Sequence, residues 1–417
     1  MMSDICSQER KPLLLIEDAL DRIKAAIEAV TDTETVALSD ALGRILAEPV
    51  TSPMDSPPYR NAAMDGYAFL STKVKTGEVF TLECVGTSWA GQPYQGQVQA
   101  GQCIRIFTGA VLPAELDSVI MQEQVQVVGS AIQFPDNTRT LEHVRDVGED
   151  LKKGEVVLPA PKRLTALDLG LLASVGIAQV WVKRKVKIAT FSTGDELVEP
   201  GETLAIGQIF NSNRYALEGL LNDPSYEVTP LGIVVDDVSI LEARLLDAAT
   251  AYDVIITTGG ASVGQADFIT EILSRCGEVN FWKLAIKPGK PLAFGKIGGC
   301  YFFGLPGNPV AVNVTYQYVV APALKQLTGA PLFNTLSLTA TCTSSLKKSP
   351  GRQEYQRGIL TQATNGQLTV QTAGKQGSNI LSSMSHANCY IILPVACGGV
   401  QCGDVVKVDL IPGADLH

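Results

Sequence analysis

Five short segments carry side chains able to act on a phosphate or a similar oxyanion. Ser192-Thr193-Gly194-Asp195-Glu196-Leu197 joins hydroxyls, a glycine and two carboxylates, which suits phosphate contact and coordination of a hard cation. Alone, the same residues equally suit a helix cap on a surface turn. Asp236-Asp237 is the second segment, and an aspartate there also suits the dipole of a following helix. In Thr257-Thr258-Gly259-Gly260-Ala261-Ser262-Val263-Gly264-Gln265-Ala266-Asp267, glycines let backbone N–H groups approach an anion and hydroxyls add donors. Lys283, Lys287 and Lys290 lie in a run stiffened by Pro288 and Pro291; exposed lysines are commonly only solvated. In Gly304-Leu305-Pro306-Gly307-Asn308-Pro309, Asn308 as N-cap and Pro309 as first helical residue predict a rigid turn with free N–H groups, an oxyanion pocket. No single segment is diagnostic. Together they combine carboxylates for a divalent ion such as Mg²⁺ with donors for anions, which points to metal-assisted chemistry at a phosphate and leaves the substrate open.

These segments need elements to position them, and the chain between 186 and 332 supplies an alternation. Residues 186–190, 228–235 and 253–257 read as strands, with further strands near Leu292 and Tyr301. Helices are expected over 215–221, from a Ser239-Ile240-Leu241-Glu242 capping box, over 268–276, and from Pro309 to Leu327. Pro230 limits the regularity of its strand. Such alternation predicts a doubly wound parallel α/β sheet with ligands beyond the carboxyl ends of its strands. Upstream, Ile16, Ala19, Leu20, Ile23, Ile27 and Val30 recur at helical spacing. A second helix is expected over 166–175, with Thr165 as N-cap and Gly176 as stop, packing back on the first. Residues 1–50 with 155–185 then form a discontinuous helical and extended domain. Residues 51–154 form a β-rich inserted domain, entered by a turn-rich stretch and carrying strands at 79–85, 103–107 and 119–128. From 333 to 417 short strands at 336–341, 355–361, 368–372, 390–394 and 405–410 predict a β-barrel, with Asn365-Gly366 as a hairpin turn.

Composition narrows the class. A chain of 417 residues, 46% hydrophobic and 18% charged, suits a soluble protein of several domains. Its net charge of −10 disfavours nucleic acid and anionic membranes, so an anionic substrate needs a local basic cluster, which the lysine run offers. The apolar run 13–16 is too short for a secretory signal, and the charge-free stretch 297–324 is broken by the Gly-Leu-Pro-Gly-Asn-Pro turn, so no membrane span is expected. Nine cysteines without repeated spacing suit a reducing cytoplasm. With three histidines in the chain, Cys389, Cys397 and Cys402 read as thiols, not as a metal site.

Further motifs carry a likeness. Asn61-Ala62-Ala63-Met64-Asp65-Gly66-Tyr67-Ala68, Arg105-Ile106-Phe107-Thr108-Gly109-Ala110, Gly148-Glu149-Asp150, Tyr355-Gln356-Arg357-Gly358 and Gly377-Ser378 join the loops above. End to end and in order, they resemble the molybdopterin molybdenumtransferases, represented by bacterial MoeA and the gephyrin E domain. Arg60 to Ala63 is a modest variant, and Ala261 stands where relatives vary. The resemblance implies a cytoplasmic homodimer of four-domain subunits that inserts molybdate into adenylylated molybdopterin with Mg²⁺-dependent release of AMP. It implies catalytic Asp65, Asp150, Glu196, Asp236 and Asp267, with the metal on Glu196, Asp236 and Asp267; Asp237 remains an alternative to Asp236. Substrate contacts implied are Thr108, Thr193, Gly194, Gly259, Gly260, Ser262, Lys283, Lys287, Lys290, Pro306, Pro309, Arg357 and Ser378, the arginine being suited to bidentate oxyanion recognition. The inserted domain of one subunit is implied to face the α/β domain of its partner. Molybdopterin adenylyltransferase and apo-molybdoenzymes are implied partners.

Three rivals stand beside this reading: an adenylyltransferase acting one step earlier and a competence-damage-type nucleotide enzyme, each on the same type of α/β domain, and a non-catalytic scaffold or cofactor carrier. The inserted-domain acids and the barrel tail weigh against the two enzymes; the carboxylate set argues against the scaffold.

Overall fold

The computed structural model describes residues 13–75, 77–259, 272, 275, 277–332 and 336–415. Contacts divide the chain into two compact units, one of Thr35–Leu42 with Leu46–Val182, the other drawn from Met1–Glu34, Gly43–Ile45 and Lys183–His417.

The first helix, α1 (Ile16–Ala26), buries Ile16, Ala19 and Ile23, as its spacing predicts. Those residues join the core of the 183–417 unit, beside Ile188, Val254 and Leu324. The second helix, α2 (Ala166–Ser174), packs elsewhere. Its Leu172 lies with Leu46, Leu158 and Val182 in the other unit. The expectation that the two helices pack together is therefore corrected: each apolar stripe is satisfied by a different core. The start of α2 is as expected, Thr165 and Asp168 forming a reciprocal capping box.

In the 35–182 unit a six-stranded sheet carries β1 (Gly66–Phe69), β2 (Phe80–Ser88), β3 (Gln102–Ile106), β4 (Ser118–Met121), β5 (Gln126–Val128) and β6 (Ala131–Phe134), in the order β4-β1-β3-β2-β6-β5. Ala68, Ile104 and Ile106 face one core while Tyr67, Phe69 and Cys103 face the other, which is why β1 reads as a continuous apolar run and β3 is apolar on both faces apart from Gln102 and Arg105. The single strand expected over 119–128 is broken by a 3₁₀ turn at Gln122–Gln124, where polar side chains have no core to enter.

The 183–417 unit opens with the α/β sheet. Its strands are β7 (Val186–Thr193), β8 (Tyr226–Val234), β9 (Val254–Thr258), β10 (Gly277–Lys283), β11 (Pro291–Ile297) and β12 (Cys300–Leu305), ordered β8-β7-β9-β12-β11-β10. The first four neighbours are parallel, and β11 runs antiparallel to both its neighbours. Pro230 is tolerated because β8 is an edge strand, and the register shifts beside it. Helix α3 (Ser212–Leu220) covers one face through Leu217, and α4 (Val238–Ala251) covers the other through Leu241, Leu245 and Ala248. The winding is thus double. The order reverses between β7 and β9, making their carboxyl ends the switch point where such sheets bind ligands. The helix expected over 268–276 lies outside the described residues, apart from Ile272 and Arg275.

The helix expected from Pro309 to Leu327 is not uniform. It runs as α5 (Pro309–Thr315), a π-turn over Tyr316–Val320, and α6 (Ala321–Leu327). Pro322 has no N–H to give its preceding turn, and Ala321 reaches back five residues to Tyr316 O. The π-turn presents Tyr318 to the C-terminal domain, where its hydroxyl donates to Asp409 Oδ2 at 3.0 Å and its ring lies 4.1 Å from that of Tyr355.

That domain is a closed five-stranded barrel of β13 (Leu338–Cys342), β14 (Gln353–Gln362), β15 (Leu368–Thr372), β16 (Cys389–Leu393) and β17 (Val405–Leu410). Asn365-Gly366 makes the expected turn between β14 and β15: Gly366 takes φ +85° and Asn365 Oδ1 accepts from Gln367 N. No described helix is long and apolar enough to cross a membrane.

Candidate functional site

Three strand ends converge at the switch point. β7 ends at Thr193, followed by Gly194 at φ +146°, where a Cβ would lie 2.5 Å from Glu196 Oε2. Gly259 follows β9 at φ +90°, and a Cβ there would lie 2.4 Å from Thr193 O. Gly307, beyond β12, comes within 3.8 Å of Gly259 by the same measure. Gly259 is thus required by close approach and Gly194 by its backbone conformation, whereas Gly307 makes an ordinary contact. The turns enclose a cleft of about 80 Å³ bordered by Thr193, Glu196, Asn211, Asn213, Thr258 and Pro309. Gly259→Ala is expected to destabilise the protein by about 1–3 kcal/mol through the strained backbone, read as a lower urea midpoint; an unchanged midpoint contradicts the packing described.

Polar atoms floor this cleft. Ser192 Oγ lies 3.0 Å from Asn211 Oδ1, to which it donates, and 2.9 Å from Thr258 Oγ1, from which it must then accept. Asn213 Nδ2 donates to Gly307 O at 2.7 Å. Of the eight buried side-chain atoms without a hydrogen-bond partner among the described residues, four belong to these strand ends and the start of α3: Thr193 Oγ1, Asn211 Nδ2, Asn213 Oδ1 and Thr257 Oγ1. Unmet donors and acceptors at this density mark a place where a ligand or water completes the bonding. Asn211 and Asn213 were not among the residues expected from sequence. Their signal was an Asn-Ser-Asn run opening α3, which reads equally as a simple helix cap.

The acids beside the cleft are sorted by their bonds. Asp237 Oδ1 accepts from Ser239 N at 2.9 Å and Ile240 N at 3.0 Å, so Asp237 is the N-cap of α4. The expected Ser239–Glu242 capping box is corrected accordingly. Asp236 N donates to Asp195 Oδ1 at 3.1 Å, tying the loop after β8 to the loop after β7. Glu196 is exposed. Gly260, Ser262 and Asp267 lie outside the described residues. No group of three metal-ligating side chains occurs among the described residues.

The basic side is less uniform than expected. Lys283 and Lys290 are exposed, but Lys287 Nζ lies 3.1 Å from Oε1 of the buried Glu354. Gln356 Nε2 steadies the other oxygen of Glu354 at 3.1 Å. A cleft of about 190 Å³ lies between Lys287 and Lys347, Gln356 and Thr372 of the barrel.

One expectation at the barrel is corrected. Arg357 is 1% exposed, and its guanidinium donates to Ser383 Oγ, Lys375 O and Gly377 O at 3.1, 2.8 and 3.0 Å. It is a positioning residue for the loop carrying Ser378, not an anion contact, because it is buried and spends its Nε and Nη2 donors on that loop and on Ser383. The turn at Pro306 and Pro309 is also partly spent. Asn308 makes no side-chain cap, and the N–H of Val310 donates to Ser378 O at 3.3 Å.

In the 35–182 unit Asp65 precedes β1 and Thr108 follows β3. Asp65 Oδ1 accepts from the Thr108 N–H at 2.8 Å and its hydroxyl at 2.7 Å. These donors, then the Arg105 charge, hold the Asp65 carboxyl below its ordinary value of 3.8. Its ionised form therefore persists as pH falls, and the stabilisation it brings is lost only on descent through the lowered folded pKa. Thr108→Val should move the Asp65 pKa up towards 3.8 while the backbone N–H keeps it below, read by carboxyl-carbon NMR. No movement contradicts the hydroxyl's role. Asp150 is exposed at the rim of a cleft of about 430 Å³ shared with Asn61, Arg145 and Glu149.

Comparison with known proteins covers nearly the whole chain. Residues 14–176 match the MoeA N-terminal region (domain I and II), 189–326 a probable molybdopterin binding domain, and 339–411 the MoeA C-terminal region (domain IV). The molybdopterin molybdenumtransferase of Haemophilus influenzae is 41% identical, over 95% of this chain and 98% of its own. That of Nostoc sp. is 34% identical, over 93% and 90%. A solved structure of the molybdopterin biosynthesis MoeA protein from Pyrococcus horikoshii is 30% identical with a TM-score of 0.81, covering 95% of this chain and all of that one.

Proposed function

Given that the chain belongs to the molybdopterin molybdenumtransferase family and is a transferase of molybdenum-cofactor biosynthesis, we propose that it inserts molybdate into adenylylated molybdopterin, with Mg²⁺-dependent release of AMP. The observation that carries this is the switch-point cleft, where unmet polar atoms of Thr193, Asn211 and Asn213 adjoin Glu196 and the Asp195–Asp236 link.

A pterin presents amide-type donors and acceptors along one edge. Asn211 Nδ2 and Asn213 Oδ1 offer the complementary pair and fix the ring's orientation. In the reaction two Mo–S bonds form as the dithiolene displaces oxo ligand, which leaves as water with the thiol protons. Water adds at phosphorus as the pyrophosphate bridge breaks and AMP departs. The oxygen-only set of Glu196 and Asp236, with Asp267 as the sequence expects, fits a hard divalent ion. Such an ion supplies neutralisation of the phosphate oxygens and polarisation of phosphorus. Lys283 and Lys290 hold anionic oxygens, Lys287 does so in balance with Glu354, and Arg357 sets the Ser378 loop beside the start of α5. We also place Asp65, Thr108 and Asp150 in this centre, contributed within a homodimer by the other subunit. The family's implied assembly supports that assignment.

The test supplies adenylylated molybdopterin, Mg²⁺ and molybdate to the full chain and follows AMP together with reconstitution of a molybdoenzyme. AMP release that rises with molybdate is expected. Release at the same rate without molybdate overturns the insertion reading.

A further inference from the structure

Two cysteines of the inserted sheet stand side by side. Cys84 of β2 and Cys103 of β3 are register partners on neighbouring parallel strands, so their side chains share a face. That face meets the core of Tyr67, Phe69, Leu82 and Phe134, in which Cys103 is fully buried and Cys84 half-buried. The Cys103 thiol is hydrogen-bonded to Cys84, whose own Sγ donates to Gly86 O at 3.5 Å. Among the described residues no other two cysteines are strand partners. Cys300 pairs with Ile297, Cys342 with Val370, and Cys389 with Gly358 and Leu410.

The backbone suits a bond between the two. Adjacent strands run about 4.8 Å apart, within the roughly 4.4–6.8 Å that separates the Cα atoms of a disulfide. Directly after Cys84 the register shifts, and it resumes at Thr87 and Arg105. One end of the pair therefore adjoins a stretch that the ladder does not fix, which can take up the small approach a bond requires. The two thiols also differ. Half-buried Cys84 is the one an oxidant in solution can reach. Burial, then the neighbouring Cys84, pushes the Cys103 thiol well above its ordinary value, so it stays protonated and inert until an electrophilic sulfur forms beside it.

We propose that Cys84 and Cys103 form a thiol-oxidation site, which a hydroperoxide closes into a disulfide across β2 and β3. The Cys84 sulfur, as its thiolate, attacks the O–O bond of hydrogen peroxide; a sulfenic acid forms and water leaves. The Cys103 sulfur then attacks Cys84 Sγ, the S–S bond forms and the S–O bond breaks. The departing hydroxide takes the Cys103 proton and leaves as a second water. Two thiols have then given two electrons and two protons to one peroxide, and a dithiol reductant reverses the change. The site lies wholly within the inserted sheet and is independent of the reaction at the α/β cleft.

The full-length protein, Cys103→Ala and Cys84→Ser are treated while folded with hydrogen peroxide, with and without dimedone, and mapped by peptide mass spectrometry. The wild type should yield the Cys84 and Cys103 peptides joined with loss of two hydrogens, and dithiothreitol should separate them. In Cys103→Ala, Cys84 should accumulate as the sulfenic acid that dimedone traps. In Cys84→Ser, Cys103 should stay unmodified. The oxidised wild type should also unfold at a higher urea concentration than the reduced protein, as a cross-link of the unfolded chain requires. Cys84 trapped by dimedone in the wild type, with no link to Cys103, overturns the site. So does oxidation that joins either cysteine to a different one, or a urea midpoint lowered by the bond. The wild type carries this reading by itself, so a variant that fails to fold does not blunt the test.

Discussion

Glu196→Ala and Asp236→Ala should each lower molybdate-dependent AMP release by about 100-fold or more, the scale expected when a group stabilising transition-state charge is removed. Glu196 is exposed, so the thermal midpoint of Glu196→Ala should hardly move. Asp237→Ala gives the internal contrast. It removes the two cap bonds to Ser239 N and Ile240 N, which should cost about 1 kcal/mol of stability, and activity should stay within a few-fold of wild type. If Asp237→Ala abolishes turnover while Asp236→Ala does not, the assignment of the neighbouring acids is reversed.

Arg357→Leu should be the most destabilising single change proposed, by about 3 kcal/mol or more. Leucine fills part of the space, but it leaves Lys375 O, Gly377 O and Ser383 Oγ without the donors they now receive in a buried site. Arg357→Lys should not rescue, because a single ammonium cannot reproduce a planar fork that serves three acceptors. The check is the urea midpoint. A Leu variant that unfolds at the wild-type urea concentration contradicts the role assigned to Arg357 and reopens it as an anion contact.

Local features were readable from the chain. The Asn365-Gly366 turn, the Thr165 cap, the strands of the barrel and the glycines at strand ends depend on residues a few positions apart. Their backbone requirements dictate residue type directly. The doubly wound class of the α/β sheet follows from the alternation of strands and helices, and with it the expectation that ligands bind beyond the carboxyl ends of its strands; the order of the strands and the antiparallel β11 do not. What escaped the sequence depends on distant partners. Lys287 looks like a free cation until the barrel brings Glu354 to it. Arg357 looks like an oxyanion fork until its own loop closes over it. Leu172 and Ile23 share an apolar pattern that gives no sign of their belonging to different cores. Ser239 competes with Asp237 for the start of α4, and the carboxylate wins because it reaches two N–H groups at once. Asn211 and Asn213 carry a helix-start signature that hides their other use, since the unmet atoms become visible only when β7, β9 and the turn after β12 meet.

The most direct test mixes two inactive proteins, Asp65→Ala and Glu196→Ala, after subunit exchange has been demonstrated with labelled chains. Half of randomly formed dimers are hybrids, and each hybrid holds one centre with both native acids if these come from different subunits, so about one quarter of wild-type AMP release should return. Failure to recover activity despite complete exchange would contradict a reaction centre assembled from two chains.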